Sequence, residues 1–171
     1  MMRKKQQGFT LIELLIVIAI IAIIAAVAFV ALDPLTRFQD SRDAARWSDV
    51  AALVSAIKVD QVDNRGSYAY GVSYDTSAAA VVAGTEYMIS NATTTTGCNA
   101  SACTAVAAVD DCVNLNELVR EGYVGSLPAS PNGSGSWSST LTGYYLIYNS
   151  NGSVTIGACE AENASSITVT R

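Results

Sequence analysis

Residues 14–32 are apolar without exception, 19 in a row, and this run constrains the chain more than any other feature. It is entered through Arg3-Lys4-Lys5-Gln6-Gln7-Gly8, a short basic leader that ends in glycine, and then through Phe9-Thr10-Leu11-Ile12-Glu13. At about 1.5 Å of rise per residue, residues 9–32 make about 36 Å of helix, enough to cross a ~30 Å hydrocarbon core with some tilt. The positive leader stays cytoplasmic, which places everything after Leu32 across the membrane. Glu13 sits near one end of this span. An acidic side chain costs about 2.5–3.5 kcal/mol at the centre of such a helix and less near an end, so an intramembrane carboxylate marks a functional site and needs a partner. Cutting between Gly8 and Phe9 would supply one: a new α-amino group four residues away, or on a neighbouring copy.

The string Gly8-Phe9-Thr10-Leu11-Ile12-Glu13 resembles, at every position, the prepilin-peptidase site and first mature residues of the type IV pilin and pseudopilin family. The likeness is specific over roughly residues 3–32 and looser beyond. It implies cleavage after Gly8, N-methylation of Phe9, stacking of the hydrophobic helices into a filament core, and a meeting of Glu13 with the Phe9 amine of an adjacent subunit. Two plainer readings compete. An ordinary secretory signal would use Ala26-Val27-Ala28 as its cleavage site, but its apolar region is usually about 7–15 residues and carries no glutamate. A simple membrane anchor would make Glu13 a nuisance.

Removing the leader takes Arg3, Lys4 and Lys5 from a chain of formal charge −5, leaving 15 acidic against 7 basic side chains. That acidic, Ser/Thr/Asn-rich surface suits solubility outside the cell and opposes electrostatic nucleic-acid binding. The chain has no histidine, so the usual base of Ser-His-Asp and Cys-His chemistry is missing. No phosphate-binding glycine loop or dinucleotide fingerprint occurs. Neither an enzyme nor a cofactor is expected.

Asp33-Pro34 breaks the apolar run, so a kink or a fresh helix start is expected, with Asp33 as cap and Pro34 in the first turn. Leu35, Phe38, Trp47, Val50, Leu53, Val54, Ile57 and Gln61 then recur at helical steps. Asp40, Arg42, Asp43, Arg46, Asp49, Lys58 and Asp60 read as a solvated stripe of weak pairs, open to adjacent subunits in a filament. Asn64-Arg65-Gly66 ends the helix. The domains expected are a leader at 1–8, a transmembrane or filament-core helix at 9–32, its amphipathic continuation at 33–65 and a globular head at 66–171.

Residues 67–111 are hard to read: Tyr68, Tyr70, Val72 and Tyr74 alternate, and Glu86-Tyr87-Met88-Ile89-Ser90 suggests a strand. Leu115, Leu118 and Val119 mark a short helix capped near Asn114 and closed by Gly122. Tyr144-Tyr145-Leu146-Ile147-Tyr148 and Val154-Thr155-Ile156-Gly157-Ala158-Cys159 flank an Asn-Gly turn and read as a hairpin, with Val154, Ile156 and Ala158 on one face. Ile167-Thr168-Val169 adds a last strand. The fold class expected is α+β: a long N-terminal helix packed on a small antiparallel β-sheet, pilin-like.

Cys98, Cys103, Cys112 and Cys159 allow three pairings. Cys112 would open the short helix and Cys159 close the hairpin, which favours Cys112–Cys159 with Cys98–Cys103. Their spacings of 4, 8 and 46 residues suit no zinc site. Residues 122–145 also resemble major pseudopilin heads, with one departure. Calcium-binding pseudopilins carry an acidic residue before the turn proline and acidic ligands after it. Here Ser130 precedes Pro131, and residues 132–142 hold no carboxylate. Glu160 and Glu162 read as solvated loop charges, and no metal is expected.

The sum is a structural subunit of a type IV pilus-like filament or a type II secretion-type pseudopilus. Its expected partners are membrane lipid before assembly, prepilin peptidase, an inner-membrane assembly platform and identical subunits. It is expected first as a single-pass precursor in the cytoplasmic membrane, then in an extracellular pilus or periplasmic pseudopilus. Alanines 22, 25, 26 and 28 either let helices approach closely or simply fill. A monomeric, membrane-tethered binding domain for adhesion or DNA capture is the alternative. A priming subunit is a third possibility, but such subunits often lack the glutamate.

Overall fold

The computed structural model describes residues 8–64, 83–91, 103, 112–133 and 135–171. The chain divides into two compact units, one ending at Phe38 and the other spanning Gln39–Arg171. In the first, α1 (Leu11–Leu32) is built almost wholly of aliphatic residues and buries none of them. Asp33 interrupts the helical backbone with a left-handed φ of 35°, the one non-glycine residue with positive φ among those described. Its carboxylate accepts a 2.6 Å bond from the Thr36 hydroxyl, and α2 (Pro34–Asp63) begins at the next residue. Proline serves there because its missing N–H would be an orphan at a helix start.

From Gln39 onward the second unit is an α+β head. Its sheet runs β2-β1-β3-β4-β5, formed by β1 (Glu86–Ser90), β2 (Cys112–Asn114), β3 (Tyr144–Tyr148), β4 (Val154–Ala158) and β5 (Thr168–Thr170). The expected hairpin is β3 and β4, paired from Tyr144↔Ala158 to Tyr148↔Val154, with Gly152 taking the positive φ its turn needs. The α+β class is as expected, and the sheet is antiparallel across β1, β3, β4 and β5. β2 lies parallel to β1, with Met88↔Cys112 in register, so the sheet is mixed. Residues 112–114 form this strand ahead of the short helix α3 (Asn116–Arg120), so Cys112 opens β2 and not the helix. Gly122 closes α3 with φ 85°, as expected.

Strand alternation sorts side chains onto two faces. Tyr87, Ile89, Val113, Tyr144, Leu146, Ile156 and Ala158 join Val50, Leu53, Val54 and Ile57 of α2 in one core. Each fully buried aliphatic of this kind stabilises by about 1.5–3 kcal/mol, so helix and sheet hold one another. The other face carries Met88, Cys112 and Tyr145, packed with Cys103, Trp137 and Cys159. Gly157 is required there: a Cβ on it would stand 2.4 Å from the Tyr145 ring.

The amphipathic reading of α2 is half right. Val50, Leu53, Val54 and Ile57 are buried, but Leu35, Phe38 and Trp47 are exposed. In their place the helix buries Asp43, Arg46 and Asp60, which the sequence pattern assigned to solvent. The stretches 67–82 and 93–97 lie outside the described residues.

Candidate functional site

Two sites emerge, one in each unit. At the first, Thr10 caps α1: its hydroxyl accepts from the Glu13 amide at 3.3 Å. The Glu13 carboxylate reaches back to the Thr10 amide at 2.8 Å and the Thr10 hydroxyl at 2.7 Å. This reciprocal capping box satisfies donors that a helix start leaves orphaned. Glu13 therefore has a partner inside its own chain, in the residue between Phe9 and the helix. The Phe9 amine expected as its partner exists only after cleavage; in the uncut chain Thr10 holds the carboxylate, and Thr-x-x-Glu is itself a capping signature. Among the described residues nothing lies within 4 Å of where a Cβ on Gly8 would stand, and Phe9 is 86% exposed. Arg3, Lys4 and Lys5 fall outside the described residues.

The second site lies where α2 meets the segment after β4. Arg46 is fully buried and surrounded by oxygen. Its guanidinium donates to Asp43 at 2.7 Å, Glu162 at 2.9 Å, the Pro131 carbonyl at 2.9 Å and the Ser130 hydroxyl at 3.0 Å. Glu160 pairs with it at 3.5 Å. Arg42 makes a second, two-pronged bond to Glu162. Asp43 also accepts the backbone amides of Glu162, Asn163 and Ala164. Burial alone would raise its pKa, but the amides of Ala164, Asn163 and Glu162, with the Arg46 guanidinium, prevail and hold it below the ordinary aspartate value. Glu162 is held low as well, chiefly by the Arg42 hydrogen bond. These groups staple the loop after β4 to the helix.

Glu160 extends the network to the 130–137 loop. Its carboxylate accepts the Trp137 indole N–H at 2.9 Å and lies 3.3 Å from the Gly135 amide. The reading of Glu160 and Glu162 as solvated charges is thus corrected. Both are over nine-tenths buried at the side chain, because the partner that neutralises them arrives from a helix more than a hundred residues earlier. Two tyrosines complete the docking. Tyr144 donates to Asp49 at 2.6 Å, and Tyr123 donates to Asp63 at 3.0 Å. Burial and these carboxylates push both phenols up, Tyr123 to about 12.

The cysteine pairing also needs correction. Cys103 is bonded to Cys159, with 4.5 Å between their Cα atoms. That excludes both Cys112–Cys159 and Cys98–Cys103. Cys112 is itself disulfide-bonded, and Cys98 lies outside the described residues. The sheet order gives the reason. Cys112 sits on β2, three strand spacings from β4, a separation of about 14 Å across the sheet. A disulfide bridges Cα atoms only up to about 7 Å apart.

Against known proteins, residues 3–29 match the model of the prokaryotic N-terminal methylation motif. No curated protein and no solved structure matches the chain. The motif belongs to structural pilin-type proteins and not to an enzyme family, and with the exposed apolar α1 it fits a membrane-anchored precursor. The chain carries, on residues 3–29, the prepilin-like signal of the type IV pilins and pseudopilins, followed by a pilin-like α+β head.

Proposed function

We propose that this protein is a repeating structural subunit of a type IV pilus-like filament or pseudopilus. The observation that carries the reading is the coincidence of the methylation motif with an α1 that buries none of its apolar side chains. An apolar helix with nothing packed on it needs lipid or other helices around it, and a filament core supplies the second when the first is left behind. In this reading prepilin peptidase cuts after Gly8, Phe9 is N-methylated, and the subunit leaves the cytoplasmic membrane through an assembly platform. Glu13 then exchanges its Thr10 partner, or shares it, with the Phe9 amine of an adjacent copy. A misplaced subunit leaves one member of that pair unmatched out of water, and removing one partner of a buried pair costs about 3–5 kcal/mol.

Intact mass and shear fractionation test this together. The expected chain begins at N-methylated Phe9 and is recovered in sheared surface filaments or, for a pseudopilus, in periplasmic fibres on overexpression. A chain starting at Phe29 would establish a secretory signal. A chain starting at Phe9 that never leaves the membrane would establish the tethered monomer.

A further inference from the structure

We infer that Arg46 is the resident cation of the 130–137 loop, so that the head is ordered by its own guanidinium and has no use for a divalent metal there. The donor set makes the case. Asp43, Glu160, Glu162, the Ser130 hydroxyl and the Pro131 carbonyl converge on one buried centre, and every one of these donors is oxygen. Carboxylate, carbonyl and hydroxyl oxygens gathered from separate segments are what a hard cation such as Ca²⁺ collects. Here the centre is already filled by a planar group whose N–H bonds point at those oxygens. A calcium ion would have to displace a side chain that is fully buried and anchored on α2. Among the described residues, moreover, no group of three or more acidic, histidine or cysteine side chains is set to hold a metal. The residues therefore do not fit the calcium that related pseudopilin heads bind in this region.

A charged side chain does here what a bound ion would do, with a different consequence. An ion leaves when its concentration falls, whereas Arg46 is covalently part of α2. The loop carries its own reporter. Trp137 donates to Glu160, which pairs with Arg46, so the indole senses whether the centre is intact. Gly133 enforces the close approach of the loop, since a Cβ there would fall 2.3 Å from a Glu160 oxygen.

The experiment uses the full chain in detergent micelles on a Trp47→Phe background, so that Trp137 is the remaining tryptophan. Its emission maximum and the melting temperature of the head are followed with EDTA, with millimolar CaCl₂ and with ethylguanidinium. The unaltered centre is expected to give the same melting temperature and emission under all three. Arg46→Ala is expected to shift Trp137 emission to the red and lower the melting temperature, and ethylguanidinium, but not Ca²⁺, is expected to reverse both. Arg46→Lys, which keeps the charge without the planar fork, should fall between, and it serves where Arg46→Ala fails to fold. Loss of stability on chelation with Arg46 present would overturn the inference. So would restoration of Arg46→Ala by Ca²⁺ and not by ethylguanidinium, or an Arg46→Lys head indistinguishable from the parent. None of these outcomes bears on filament assembly, which is read separately by shear fractionation.

Discussion

Removing the Cys103–Cys159 bridge offers the most quantitative test of the head. The bond joins residues 56 apart in sequence. In the chain-entropy treatment, closing a loop of that length removes enough freedom from the unfolded chain to stabilise the folded one by about 4 kcal/mol. For a head of this size each kcal/mol moves the melting temperature by about 3–4 °C, so the double variant Cys103→Ala, Cys159→Ala should melt roughly 12–16 °C lower. Both sulfurs pack beside Trp137, Met88 and Tyr145. Equilibrium urea unfolding of the full chain on the Trp47→Phe background in micelles, followed by Trp137 emission, therefore reports the same event. A Cys98–Cys103 bridge would close only a short loop, and losing it would cost correspondingly less. A loss below about 1 kcal/mol would show that the loop is already restrained by other means and refute the entropy argument. A non-reducing peptide map that joins Cys159 to Cys112 would refute the bridge itself.

Four further outcomes follow from the same contacts. Asp43 and Glu162 have lowered folded pKa values, so their contribution is fully present above the ordinary carboxylate range of about 4 and is lost as pH falls through the folded values; with no histidine in the chain, head stability measured by thermal melts should be flat from about pH 5 to 8 and fall below about 4. Asp43→Asn should lower stability by about 3 kcal/mol at neutral pH and flatten the acid limb, because an amide nitrogen then faces donors from Arg46 or the 162–164 backbone; an unchanged acid limb would remove Asp43 from the account. Gly157→Ala should cost about 1–3 kcal/mol in urea unfolding, since the new methyl meets the Tyr145 ring at 2.4 Å. Glu13→Ala should insert and be processed yet yield few filaments in shear fractions, and normal filament yield would exclude a registration role.

What could be read from sequence was whatever is encoded locally. Alternation in Tyr144-Tyr145-Leu146-Ile147-Tyr148 and the Asn-Gly turn specify β3 and β4 without help from the rest of the chain. The three- and four-residue spacing of Val50, Leu53, Val54 and Ile57 likewise identifies the buried stripe of α2. The errors share a different origin. Arg46 and Asp43 look like surface charges because, on an isolated helix, that is where such residues belong. Their burial depends on Glu160, Glu162 and three amides supplied more than a hundred residues later. Cys112 was paired wrongly because the parallel placement of β2 beside β1 is a tertiary fact with no local signature. Trp137, set in a Ser/Gly loop, gave no hint that its indole would reach a buried carboxylate. At the N-terminus the motif was legible throughout, but only the helix geometry brought Thr10 forward as the group that holds Glu13.

The order in which the chain is made gives the Arg46 network a temporal meaning. Arg46 and Asp43 emerge early, while Glu162 follows 116 residues after Arg46. Arg171 exchanges backbone hydrogen bonds with Val154 beside β5. Until Glu160 and Glu162 are available, Arg46 has Asp43, three residues before it on α2, as its carboxylate partner and lacks the two others that bury it. Premature closure of the head is thereby disfavoured, and contacts of such long range close slowly. The head is a late-locking structure: α2 is made first, and the segment after β4, more than a hundred residues on, brings the carboxylates that close around Arg46.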